Sequence, residues 1–208
     1  MRKYVTELIG TFFLVLTVVV VVLATPMGGA LAIGAILMVM VYAGGRISGG
    51  HYNPAVTFAA WLRGILPTRE IVPYLIAQGA GALLGTYAAS SIMTGKVALL
   101  AAHPAVVPTM LAEALFTFAL AFVMLNTATT RSTANNSYFG LAIGFTVTVG
   151  VIVAGPISGG VFNPAIALAL ATLGALPLNE LTPFVIAQLV GAGVAAGVFL
   201  FLNPEEKH

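Results

Sequence analysis

The chain has 208 residues, of which 60% are hydrophobic and only 7% charged, and its mean hydropathy is +1.06. A soluble domain exposes about 25% charged residues, so lipid rather than water solvates this chain, and its apolar runs leave no room for a separate soluble domain. A formal net charge of +2 is too small to point to a nucleic-acid partner, and the absence of cysteine excludes disulfides, thiol chemistry and thiolate metal sites.

In chain order, Arg2-Lys3 ahead of the apolar run from Leu8 to Leu23 first resembles a secretory leader. The run carries Glu7, however, and the spacing Glu7-Leu-Ile-Gly-Thr11-Phe12 returns as Glu113-Ala-Leu-Phe-Thr117-Phe118. A leader that is cut away has no reason to match the middle of the chain, so this segment is predicted to stay as the first transmembrane helix. Six spans are predicted, over 4–24, 30–47, 70–92, 108–127, 137–155 and 182–202, each long enough for a hydrocarbon core of about 30 Å. Between the second and third lies a shorter piece, Pro54 to Arg63, closed by Gly64; between the fifth and sixth lies its twin, Pro164 to Leu173, closed by Gly174. At about 1.5 Å per residue each makes a helix of roughly 15 Å, half the membrane. Both are predicted to be re-entrant half-helices.

Four separated blocks recur at a constant offset. Leu31-Ala32-Ile33-Gly34 returns as Leu141-Ala142-Ile143-Gly144, Ile47-Ser48-Gly49-Gly50 as Ile157-Ser158-Gly159-Gly160, Asn53-Pro54-Ala55 as Asn163-Pro164-Ala165, and Pro73 with Ile76-Ala77-Gln78 as Pro183 with Ile186-Ala187-Gln188. The chain is therefore read as one channel-like domain, 1–208, built from repeats 1–100 and 101–208. Three spans per repeat is an odd number, so the second copy is inverted and the half-helices enter from opposite sides, with a solute path expected where the repeats meet. With both termini cytoplasmic, Arg2, Lys3, Arg46, Arg63, Arg69, Arg131 and Lys207 all lie inside and only Lys96 outside, as the positive-inside rule requires.

Asn-Pro-Ala is a helix start, since Asn is a favoured cap and Pro fits the first helical position. The asparagine oxygen accepts a first-turn N–H, which leaves its NH₂ to donate elsewhere. Two such starts meeting at the midplane bring two amide donors, from Asn53 and Asn163, and two positive dipole ends to one place. The segments before them, with Gly49, Gly50 and His51 in one copy and Gly159, Gly160 and Val161 in the other, are expected to run extended and to offer their carbonyls as a ladder of acceptors, because irregular backbone at this depth survives only along a wet cavity. A water file oriented by central donors and flanking acceptors carries no continuous proton wire, and the dipoles repel cations.

On these residues the chain resembles the aquaporins, the major intrinsic protein family, over nearly its whole length. The likeness rests on Glu7, on Gly45-Arg-Ile-Ser-Gly-Gly-His-Tyr-Asn-Pro-Ala-Val-Thr57, on the paired Asn-Pro-Ala motifs and on the stretch from Gly140 to Gly150. It implies an all-α membrane protein of six tilted transmembrane helices and two half-helices, one pore per subunit and a homotetramer in the cell membrane. Glu7 and Glu113 are expected to brace the loop backbones. Most members carry arginine at the position of Ile166, within an outer constriction that falls here on Ile33, Val151, Gly160 and Ile166, with no polar side chain. An aliphatic ring makes that barrier one of diameter and wetting.

Gln78 and Gln188 are read as interhelical hydrogen-bonders, His51 as a packing or gating residue at the cytoplasmic mouth, His103 as a water-facing loop residue and Trp61 as a packing residue. The small-residue spacing of Gly81 with Gly85 and of Gly193 with Gly197 points to close helix contacts. No Ser/His/acid set, metal-spaced histidines or phosphate loop appears, so neither catalysis nor a metal or other cofactor is implied. The expected function is a passive channel for water or small neutral solutes such as glycerol, ammonia, hydrogen peroxide or gases. A secondary transporter and a non-conducting scaffold are the alternatives.

Overall fold

A computed structural model describes residues 1–24, 27–93 and 106–206. The eight α-helices among them are α1 (Arg2–Ala24), α2 (Gly29–Ser48), α3 (Pro54–Leu62), α4 (Thr68–Ile92), α5 (Val106–Ala128), α6 (Phe139–Ser158), α7 (Pro164–Leu173) and α8 (Leu178–Leu202). Six are long and apolar enough to cross a membrane, while α3 and α7 have 9 and 10 residues. The described residues form an all-α membrane architecture of spanning helices and two half-helices. Lys96, His103 and Lys207 lie outside the described residues.

Most helix ends fall within two residues of the expected ones. Two ends differ by more. The fifth span runs to Ser158 rather than 155, passing through Pro156, because its stop is the same Ile-Ser-Gly-Gly device that ends α2. In both, the next glycine takes a left-handed conformation (Gly49 φ +93°, Gly159 φ +88°) and its N–H caps the carbonyl four residues back. The last span starts at Leu178 rather than 182, since Pro183 sits early in the helix, after a start set by Pro177.

Packing follows the repeat. α1 lies on α2 and α4 as α5 lies on α6 and α8; α2 crosses α6; α3 leans on α8 as α7 leans on α4. Apolar side chains gain little from leaving lipid for each other, so close backbone approach holds these contacts. A Cβ on Gly81 would stand 2.5 Å from the Leu8 carbonyl, and one on Gly85 2.6 Å from that of Phe12. The second copy corrects the sequence reading. Gly193 and Gly197 make no close contact; Gly191 presses on the backbone at Ala114, and the fully buried Ala195 takes the place of the second glycine. Trp61 packs on Phe58 and donates from its indole to Thr68 (3.0 Å).

The two described chain ends share one face with Arg46, Arg63, Arg69 and Arg131. Lys3 pairs there with Glu70 (2.8 Å). Arg63, at the end of α3, is buried; its Nη1 donates to the Glu206 carbonyl (2.6 Å), its Nη2 to the Glu206 carboxylate (2.8 Å), and its guanidinium lies over Phe199. The same carboxylate accepts the Arg131 N–H (2.7 Å), so the turn Pro204–Glu206 ties α3, α8 and the α5–α6 connection together.

Candidate functional site: where the half-helices meet

Each half-helix starts on its asparagine. Asn53 (φ −157°) accepts the Ala55 N–H at 2.8 Å and the Val56 N–H at 3.4 Å, and Asn163 (φ −154°) accepts the Ala165 N–H at 2.9 Å. Pro54 and Pro164 occupy the first helical position, where a missing N–H costs nothing. The NH₂ groups are not wholly free. Asn53 Nδ2 donates to the Phe162 carbonyl and Asn163 Nδ2 to the Tyr52 carbonyl, both at 2.9 Å. Each amide therefore straps the opposite loop and keeps one N–H for the space between.

The loops are not extended, which corrects the expectation. Gly49, Gly50 and Tyr52 in one copy and Gly159, Gly160 and Phe162 in the other all have positive φ, with +50° at both aromatic residues. For a non-glycine residue this costs about 1–3 kcal/mol, and the reason is where the N–H groups must go. Glu7, buried in α1, accepts four donors: Ser48 Oγ (2.7 Å) and His51 N (3.0 Å) on Oε1, Tyr52 N (2.7 Å) and Gln78 Nε2 (2.8 Å) on Oε2. Glu113 repeats this with Ser158 (2.6 Å), Val161 N (3.0 Å), Phe162 N (2.7 Å) and Gln188 (2.8 Å). Curling successive N–H groups onto one carboxylate requires left-handed residues. Among the described residues no donor reaches the carbonyls of Gly49, Gly50, His51, Gly159, Gly160 or Val161. Tyr52 itself fills a slot against Gly10 and Gly44, where a Cβ would strike its ring at the first and its hydroxyl at the second.

The asparagines, with Gly50, His51, Val161 and Phe162, line a cavity of about 20 Å³ whose other walls are Leu14, Leu37, Val56, Leu120, Met124, Ile143, Val147 and Ile166. That is room for one or two waters in single file. A wider space of about 230 Å³ opens toward the face of the chain ends, lined by Arg46, Gly49, Thr127, Thr133, Asn135 and Asn136 among others. His51 and Met124 line both, which places them at the neck. Of the four positions reckoned for the outer constriction, Ile166 lines the narrow cavity; Ile33, Val151 and Gly160 do not, although Gly160 lies against the Val151 backbone.

Several contributors escaped the sequence reading. Tyr52 and Phe162 act through backbone carbonyls, which no residue type announces. The aliphatic walls look like any membrane core. Among the described residues no cluster of three or more metal-ligating side chains occurs.

Comparison with known proteins agrees with this fold. The family described as major intrinsic protein matches residues 1–157 and 140–207. A glycerol uptake facilitator protein-like 6 of Lactiplantibacillus plantarum is 37% identical over 207 residues, covering 94% of this chain and 95% of that relative. Aquaporin NIP1-1 of Zea mays is 33% identical over 215 residues, covering 95% of this chain and 73% of that relative. The X-ray structure of the aquaglyceroporin from Plasmodium falciparum has the same fold, with a TM-score of 0.83 at 19% identity, 99% of this chain and 98% of that one being covered. The chain belongs to the major intrinsic protein family: it is an integral membrane protein and a passive channel for water and small neutral solutes, not an enzyme.

Proposed function

We propose that solutes cross in single file past Asn53 and Asn163, and that the two amide donors with the two half-helix dipoles keep ions and protons out. The observation that carries this reading is the pair of cross-strapped asparagines at a cavity of about 20 Å³ whose remaining walls are almost wholly aliphatic. A passing molecule there accepts hydrogen bonds at one point, donates to the loop carbonyls on either side, and meets nothing that holds it tightly. A cation meets two positive helix ends, each equivalent to roughly half a charge, and no carboxylate.

In this reading Pro54, Ala55, Pro164 and Ala165 shape the two helix starts, and the carbonyls of Gly49, Gly50, His51, Gly159, Gly160 and Val161 are the acceptors. Glu7 and Glu113 brace those loops. Ile33, Val151, Gly160 and Ile166 form an apolar outer constriction, which admits solutes larger than water more readily than an arginine-bearing one. The repeats 1–100 and 101–208 make a single channel domain, with their boundary outside the described residues. Both termini are cytoplasmic, the membrane is the cell membrane, and four subunits assemble with one pore each.

The named relatives include a glycerol uptake facilitator and an aquaporin, so the test is a panel of permeabilities in proteoliposomes by stopped-flow light scattering. Water and glycerol are both expected to pass faster than in protein-free vesicles, without saturation or any need for an ion gradient, while the proton conductance stays at the lipid level. Flux that requires an ion gradient, or none above lipid, contradicts the reading.

A further inference from the structure

We infer that Thr57 and Gln78 hold His51 in the tautomer that carries its proton on Nε2, so that the neck of the pathway presents a hydrogen-bond donor and no bare ring nitrogen. The hydrogen-bond network that fixes the ring starts at Glu7. Its carboxylate already accepts from Ser48, His51 N–H and Tyr52 N–H, so only the NH₂ end of Gln78 fits beside Oε2. Both N–H groups of Gln78 are then spent, one on Glu7 (2.8 Å) and one on Thr57 Oγ1 (2.9 Å). Thr57 thus accepts from Gln78 and has a single proton of its own to place. Other helical threonines, such as Thr17, Thr86 and Thr127, give theirs to the carbonyl four residues back. Thr57 makes no such bond among the described residues, and its remaining partner is His51 Nδ1 at 3.1 Å. Nδ1 therefore accepts, and a neutral ring with an accepting Nδ1 has its hydrogen on Nε2.

That nitrogen faces the path. Nε2 sits over Gly49, which lines the wider space, and it has no protein partner among the described residues while not being sealed away from solvent. A water at the neck accepts from Nε2–H and keeps its own hydrogens for the wide side, which is the orientation that the central asparagines impose. A proton arriving in the file finds the ring lone pair already occupied by Thr57. The second copy has nothing comparable: the positions equivalent to His51 and Thr57 are Val161 and Ala167. The transport meaning of this device rests on the single-file reading above, but the tautomer itself does not.

The test is solid-state NMR of the full chain in lipid at neutral pH. His103→Gln and His208→Gln leave His51 as the one ring, labelled with ¹⁵N and ¹³C. Nε2 is bonded to Cδ2 and Nδ1 to Cγ, so the protonated nitrogen is expected to correlate with Cδ2 in essentially all molecules. A proton on Nδ1, or an even mixture, overturns the inference. Thr57→Val keeps the shape without the hydroxyl, so the single tautomer should give way to a mixture, and Thr57→Ser should restore it. An unchanged ring in folded Thr57→Val also overturns the proposal, and should that variant not fold, the parent spectrum still decides. Failure of the flux panel leaves this spectrum untouched, so the two readings fail separately.

Discussion

The two loops that lead into the half-helices share one skeleton and differ in lining. Behind the backbone, Glu7 with Ser48 and Gln78 is matched bond for bond by Glu113 with Ser158 and Gln188, and Tyr52 and Phe162 adopt the same left-handed conformation. In front of it, His51 and Thr57 stand opposite Val161 and Ala167, and the buried Arg63 stands opposite Leu173. What holds the loops is duplicated, as are the central asparagines; the side chains beside them at the neck, and what anchors the far end of each half-helix, are not. The asymmetry places the polar neck and the wide opening on the face that carries the chain ends.

The most severe way to break the matched skeleton is Glu7→Gln or Glu113→Gln. A Gln side chain accepts at one oxygen only, so two donors lose a charge-assisted bond worth about 1.5–3 kcal/mol each and face an NH₂ instead. Each variant should lose several kcal/mol and melt well below the parent in detergent, and the losses should be similar. A large loss in only one would show that the two braces are not equivalent. Next comes the unmatched anchor. Arg63→Met removes the guanidinium facing the buried Glu206 carboxylate, a change that costs about 3–5 kcal/mol, whereas Leu173→Met should stay within about 1.5 kcal/mol. The same melting curves measure both, and Arg63→Met combined with Glu206→Gln should recover part of the loss.

Changes of flux should be smaller in energy. Asn53→Asp and Asn163→Asp replace an amide donor by an anion and set it against the carbonyl it used to strap. Proton or cation leak should rise about tenfold or more, equivalent to about 1.4 kcal/mol, in a dye-reported vesicle assay, and the leak should be alike in both variants. His51→Val with Thr57→Ala makes the first lining imitate the second. Losing one donor to water is worth about 0.5–1.5 kcal/mol, so water permeability should fall about 2- to 12-fold. Ile166→Arg should have the mildest effect. The guanidinium narrows an aliphatic passage, and the glycerol-to-water permeability ratio measured in the same vesicles should drop; an unchanged ratio in a folded variant removes Ile166 from the constriction.

Much of the fold was legible because it depends on features a sequence displays: long apolar runs, a constant offset, and Asn-Pro at two helix starts. The course of the loops was not. Left-handed Tyr52 and Phe162 are dictated by where Glu7 and Glu113 sit in space, not by any preference of aromatic residues. The reading of Gly193 and Gly197 failed on a signal that was present, since the repeat offset carries Gly81 to Gly191 and Gly85 to Ala195. The roles of Thr57 and Arg63 were hidden for different reasons. Thr57 looks like any helical threonine until Gln78 turns its hydroxyl. Arg63 served only as a surface charge in the topology argument, because its partner is Glu206, far along the chain.

That distance has a consequence for how the protein is made. The first half-helix needs the Phe162 carbonyl, 109 residues beyond Asn53, and Glu206, 143 residues beyond Arg63. At about 5–20 residues per second, roughly 7–30 s separate the emergence of Arg63 from that of its carboxylate. During that interval α3 has an unclamped start and a guanidinium whose final site does not yet exist. The half-helix cannot settle until the turn Pro204–Glu206 has been made, so the neck of the channel is among the parts that close late.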